Sequence, residues 1–132
     1  VTAMHCPTRV YADVVVAAAD GRIDFGGAQE LEDAMASAIA AESGTRGLVV
    51  DMSKVDYISS VGLRSLMVAA KALRARKAVI AVAALKPVVA EIFEISRFHH
   101  VVDVRHTVRE AIAAISPQAL AAWDREHPAE AG

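Results

Sequence analysis

At 132 residues the chain suits one globular domain and is too short for two. Lys plus Arg number 14 against 16 Asp plus Glu, a formal charge of −2, and 5% of residues are aromatic, so neither the basic footprint nor the stacking platform of a nucleic-acid binder is present. The 55% hydrophobic share includes 28 Ala, and its longest run, the eight residues Ala78 to Leu85, falls short of the ~20 that cross a membrane.

Val10 to Ala19 is mostly β-branched or small and predicts one bent strand, or two short strands meeting near Ala12 and Asp13. Asp20 and Gly21 are expected to end that run. Gly26 and Gly27 then open a helical pattern with Ala28, Leu31, Met35, Ala38 and Ile39 on one face, stopping before Gly44. Gly47 to Met52, apolar until Asp51, predicts a buried central strand with parallel neighbours. Ser53 to Ser60 reads as a polar connection.

Leu63, Leu66, Met67, Ala70 and Leu73 recur at helical spacing, with Arg64, Lys71 and Arg74 around the other faces, and this second helix should end near Lys77. Ala78 to Leu85 is a further buried strand. Pro87 suits the first turn of a third helix, whose inward face would be Val88, Val89, Ile92 and Ile95. Val101 to Val104 predicts a short strand, and Thr107 with Glu110 a capping box ahead of Val108, Ala111, Ile112 and Ile115. Ser116 and Pro117 restart a helical pattern with Leu120 and Trp123 on one side, followed by a polar tail, Glu126 to Gly132, expected to be mobile. The alternation predicts an α/β fold: a mixed, mostly parallel sheet of four to five strands, with four to five helices and right-handed crossovers. Its first segment is a candidate for an antiparallel hairpin.

Several signals are weak. His5, His99, His100, His106 and His127 include no His-x-x-x-His pair, so no metal site is expected. There is no Gly-x-Ser-x-Gly elbow, phosphate-binding loop or dinucleotide fingerprint. Cys6 cannot close an internal disulfide and reads as a mobile thiol near the start; with no secretory signal in view, the cytoplasm is the expected compartment. Trp123 reads as a cover for a hydrophobic edge of its own domain, with an anchor for a dimer or a partner as the alternative.

The most informative stretch is Asp51 to Leu66, DMSKVDYISSVGLRSL. A buried strand runs into a polar loop, and two serines stand where a helix opens. Ser59 or Ser60 can cap that helix, and its free N–H groups and partial positive charge of about half a unit accept an anion there.

Read with Gly21-Arg22-Ile23-Asp24 upstream, this stretch resembles the STAS domain of bacterial anti-sigma factor antagonists. The strand ending in Asp-Met-Ser and the Val-x-Tyr-Ile-Ser-Ser-x-Gly-Leu at the helix start carry the likeness, which spans roughly Val10 to Ile115. The resemblance implies a STAS domain over residues 8–115 and a C-terminal helical extension and tail over 116–132. It also implies a partner-switching module with no catalysis and no cofactor, no direct contact with nucleic acid and no insertion into a membrane. Its partners would be a kinase-type anti-sigma factor, which is a serine kinase, and a phosphatase.

The family's phosphoacceptor lies two residues before the motif Gly, here Gly62, which maps it onto Ser60, with Ser59 as second choice. Asp24 matches a family Asp in the adjoining loop. Asp24, Phe25, Ser59, Val61, Gly62, Leu63 and Arg64 would form the partner surface, through whichever of them are exposed; Leu63 also reads as core and Arg64 as a solvated charge. Many members carry Asp before the acceptor and Ser or Thr after it, whereas this chain has Ser59 and Val61. Two other readings stay open: a STAS subunit of a membrane transport system that is not phosphorylated, and a sensor holding a nucleotide or lipid near Asp24 and the serine loop. A homodimer also stays open.

Overall fold

The computed structural model describes residues 4–41 and 44–131. Gly132, the end of the expected mobile tail, lies outside the described residues. The first segment is a hairpin, β1 (Thr8–Tyr11) antiparallel to β2 (Val14–Ile23), with Tyr11 opposite Val14 across the two-residue turn Ala12-Asp13. Such turns call for positive φ, and Ala12 stands at φ 54°, where its Cβ crowds the following carbonyl at a cost of roughly 1 kcal/mol. Ala12→Gly is therefore expected to raise the melting temperature by about 3 °C. A lower melting temperature would show that the turn is not strained.

β2 does not end at Asp20 and Gly21. Its pairing with β3 (Gly47–Ile58) slips between Ala18 and Asp20 and again between Gly21 and Arg22, and Gly21 takes φ 126°. The glycine marks irregular pairing that bends the strand without terminating it. β3 is likewise longer than its apolar half. Ser53 to Ile58, expected as a connection, continues the strand to the pair Ile23 and Ile58. Ser53, Lys54 and Asp56 face solvent, while Met52, Val55 and Ile58 are buried.

The sheet order is β1-β2-β3-β4-β5, where β4 is Val79–Ala83 and β5 is Asp103–Arg105, and β2 to β5 are parallel. On one face α1 (Phe25–Ala41), α2 (Ser60–Ala75) and α3 (Pro87–Ile95) bury Leu31, Met35, Leu66, Leu73, Val89 and Phe93 against Val15, Leu48, Val50, Ile80 and Val82. On the other, α4 (Val108–Ile115) and α5 (Pro117–Glu126) cover Val14, Val16, Val49 and Ala81 with Ala111, Ile112, Ala119 and Trp123. Burial on both faces explains why β4 and the first half of β3 read as unbroken apolar runs. The predicted α/β class and mixed sheet are what the chain adopts.

Smaller expectations shift. In α3 the inward stripe is Val89, Ile92 and Phe93, while Val88 and Ile95 are 59% and 76% exposed: at about 3.6 residues per turn those two lie about a quarter turn away from the centre of the buried stripe. The short strand starts at Asp103, because Val101 and Val102 leave a 3-10 turn to pack on the core. Thr107 caps α4 by accepting from Glu110 N–H, but the Glu110 carboxylate accepts from His106 N–H, one residue before the cap.

Cys6 is half-buried against the core, and burial pushes its thiol up to about 11, so it is not the mobile thiol expected. Ser116 caps α5 by accepting from Ala119 N–H and donates to Asp13 Oδ1 in the hairpin turn. Trp123 is buried, with its ring edge-to-face on Tyr11 of β1 at 5.1 Å and stacked on His127 at 3.7 Å, and Glu126 pairs with Arg9. Pro128 to Ala131 add a last helical turn, α6.

Candidate functional site

Two loops meet at the carboxyl ends of β2 and β3. Ser59 N–H donates to Ile23 O at 2.8 Å, tying the start of α2 to the end of β2. Asp24 caps α1, its Oδ1 accepting from Gly27 N–H at 3.0 Å. Ser59 does the same for α2: it is extended at φ −86°, ψ 171°, and its Oγ accepts from Gly62 N–H at 3.2 Å. Both helices therefore begin side by side, with their N–H groups aimed out of the same end of the sheet.

Of the two serines only Ser59 is held. Ser60 is the first residue of α2, exposed, and its hydroxyl has no protein partner among the described residues. The first turn of α2 contains no acidic side chain, so its partial positive charge is not neutralised within the helix.

Gly62, expected in the partner surface, is buried instead. A Cβ there would lie 2.6 Å from Ile23 Cγ2 and 2.7 Å from Ile58 Cγ1. The missing side chain lets the start of α2 rest on the two strand ends, and this close seat aims Ser60 outward. Leu63 is half-buried and packs on the core. Asp24, Phe25, Val61 and Arg64 are exposed, Phe25 at 80% and Val61 at 37%.

Phe25, Val61 and Arg64 line a groove of about 380 Å³ between α1 and α2, together with Gln29, Glu32 and Val68. Those last three were missed by sequence reading. Val61, Arg64, Ser65 and Val68 repeat at i, i+3, i+4 and i+7, which is a readable stripe, but its slant toward α1 depends on how the helices pack. Near the carboxyl ends of β2 and β3, the Arg22 guanidinium sits 4.6 Å from the centre of the Tyr57 ring. The Lys86 ammonium hydrogen-bonds Asp56 at 2.6 Å and holds that carboxyl below the usual carboxylate range. No group of three or more His, Cys, Asp or Glu side chains among the described residues could hold a metal ion. No helix among them is long and apolar enough to cross a membrane.

The geometry has relatives. The family model described as "STAS domain" matches residues 5–111. The Bordetella bronchiseptica protein named "Putative anti-sigma factor antagonist BtrV" is 37% identical over 107 residues, which cover 81% of this chain and 90% of BtrV. Among solved structures, an anti-sigma factor antagonist from Mycobacterium paratuberculosis superposes with a TM-score of 0.77 at 24% identity, over 86% of this chain and 94% of that one. The phosphorylated form of the Bacillus cell fate determinant SpoIIAA gives 0.63 at 16% identity, over 86% of this chain and 100% of SpoIIAA. At those identities the two structures speak for the fold alone. The family match extends through both loops that build the site, BtrV is 37% identical over most of both chains, and the chain belongs to the STAS domain family.

Proposed function

We propose that this chain is a phosphorylation-controlled protein-binding switch: an anti-sigma factor antagonist that binds a kinase-type anti-sigma factor while Ser60 is bare and leaves it once Ser60 is phosphorylated. The observation that carries this reading is an exposed serine hydroxyl without a partner, at the open end of a helix and beside the exposed apolar side chains of Phe25 and Val61. The name of BtrV supports the partner class. The chain itself does no chemistry. Its partner transfers the γ-phosphoryl of ATP: a bond forms between Ser60 Oγ and phosphorus, the bond to the departing ADP breaks, and the hydroxyl proton passes to the kinase. A phosphatase would hydrolyse the ester and restore the hydroxyl.

The added group brings −1.5 to −2 charges. On the free domain it meets water and the positive end of α2, so the fold tolerates it. Under a packed partner the same charge must be desolvated, and a loss of a few kcal/mol weakens binding roughly 100-fold. Ser59 is the second choice because its oxygen already accepts from Gly62 N–H, whereas Ser60 is uncommitted. Asp24, Phe25, Ser59, Val61, Leu63 and Arg64 contribute their exposed parts to the contact. Such a protein works in the cytoplasm, without cofactor and without touching nucleic acid.

The test is incubation with ATP and the serine-kinase anti-sigma factors of the same genome, followed by intact mass. One phosphate is expected on the unmodified chain and on Ser59→Ala, and none on Ser60→Ala. A phosphate that survives Ser60→Ala would overturn the assignment. A chain that never gains one and instead copurifies with an ATPase and a permease would replace the switch with a transport subunit.

A further inference from the structure

We infer that Arg64 captures the phosphate once it is on Ser60, and that this capture withdraws the guanidinium from the groove between α1 and α2. The inference rests on the switch reading and concerns how the mark is held and read. Arg64 lies four residues after Ser60 on one helix, a spacing that brings Cβ atoms to about 5–6 Å. Helical side chains lean toward the helix N-terminus, so the long arginine arm lies back over residues 60 and 61.

Arg64 is also exposed and, among the described residues, has no ion pair or hydrogen bond through its side chain. The other charges around the site are placed differently. Asp24, in the loop between β2 and α1, keeps its carboxylate on Gly27 N–H and repels a phosphate. Glu32 stands on α1 as part of the same groove as Arg64. Arg22, at the end of β2, is stacked on Tyr57. Arg64 is thus the unengaged cation nearest in sequence to the acceptor on α2, with Lys71 and Arg74 about two and three turns further along. It sits in the second turn, past the first turn over which the helix-end field mainly acts.

A phosphate presents three acceptor oxygens, and the planar fork of a guanidinium takes two of them at once. With Ser60 bare, Arg64 lines the groove beside Phe25 and Val61 and is available to a carboxylate of the partner. With Ser60 phosphorylated, the phosphate competes for it at short range. One modification then adds a charge and removes a docking cation.

The test uses the full chain with phosphoserine encoded at residue 60 during synthesis, and follows the second ionisation of the phosphate by phosphorus NMR. A nearby cation favours the dianion and lowers that pKa; removing the cation raises it. Arg64→Gln is expected to raise the midpoint by roughly half a unit toward the value of about 6 for free phosphoserine, with Arg64→Lys in between. Salt at about 1 M, where screening acts within ~3 Å, should shrink the gap. Midpoints for the unmodified chain and Arg64→Gln that agree within about 0.1 unit would overturn the inference. Because the phosphate is installed without a kinase, that result would leave the identity of the acceptor untouched, and a failed kinase assay would leave the titration intact.

Discussion

Ser60→Asp is expected to bind the anti-sigma factor about 100-fold more weakly than the unmodified chain while melting at the same temperature or slightly above it. Two physical effects act on the same carboxylate. In the free domain it joins the first turn of α2, where no acidic residue stands, and a negative charge there is worth about 0.3–1 kcal/mol of stability. Beneath a partner it must shed its water with no counter-charge supplied by this chain apart from Arg64, and desolvation outweighs the helix-end attraction. Calorimetric binding together with a thermal melt separates the two. Unmodified affinity, or a melt that collapses, would show that Ser60 does not sit inside the contact or that its hydroxyl supports the fold.

Gly27→Ala is expected to cost about 3 kcal/mol and lower the melting temperature by roughly 10 °C. A Cβ on Gly27 would stand 2.3 Å from the carbonyl oxygen of Arg22 and 3.4 Å from Met4 Cβ. Alanine is worth up to about 1 kcal/mol more than glycine inside a helix, so the sign is decided by whether the neighbour can retreat. It cannot retreat cheaply, because Arg22 O belongs to backbone paired into the sheet opposite Tyr57. The start of α1 must lift instead, stretching the bond from Gly27 N–H to Asp24. A melt within about 2 °C of the unmodified chain would mean that the first turn of α1 is looser than its contacts imply.

Much of this architecture was legible because helices α1 and α2 each carry a regular apolar stripe, and because β4 is buried on both faces and so reads as an unbroken apolar run. What failed to read was set by pairing. Ser53, Lys54 and Asp56 look like a loop, yet β2 pairs beside them as far as Ile58 and makes them strand. Gly21 looks like a stop, and only the neighbouring strand turns it into a bend. Within the site, the Ser-Ser-x-Gly-Leu motif located both serines, but the division of labour between them came from geometry: Ser59 Oγ turns in to cap, Ser60 turns out. Gly62 was read as surface because a motif glycine resembles a contact. Its reason is a close approach to Ile23 and Ile58, which no local pattern displays. The resting place of Trp123 on Tyr11 joins positions near opposite ends of the chain and has no local signature at all.

That aromatic contact bears on the order of biosynthesis. Within this chain β1 leaves the ribosome before α5, yet its Tyr11 is covered by that helix, while Arg9 waits for Glu126 and the hairpin turn at Asp13 waits for Ser116. A nascent chain halted before α5 would hold its regulatory serine in place on a body whose first strand is still wet on one side. Emergence of α5, rather than of the serine loop, is what closes the domain.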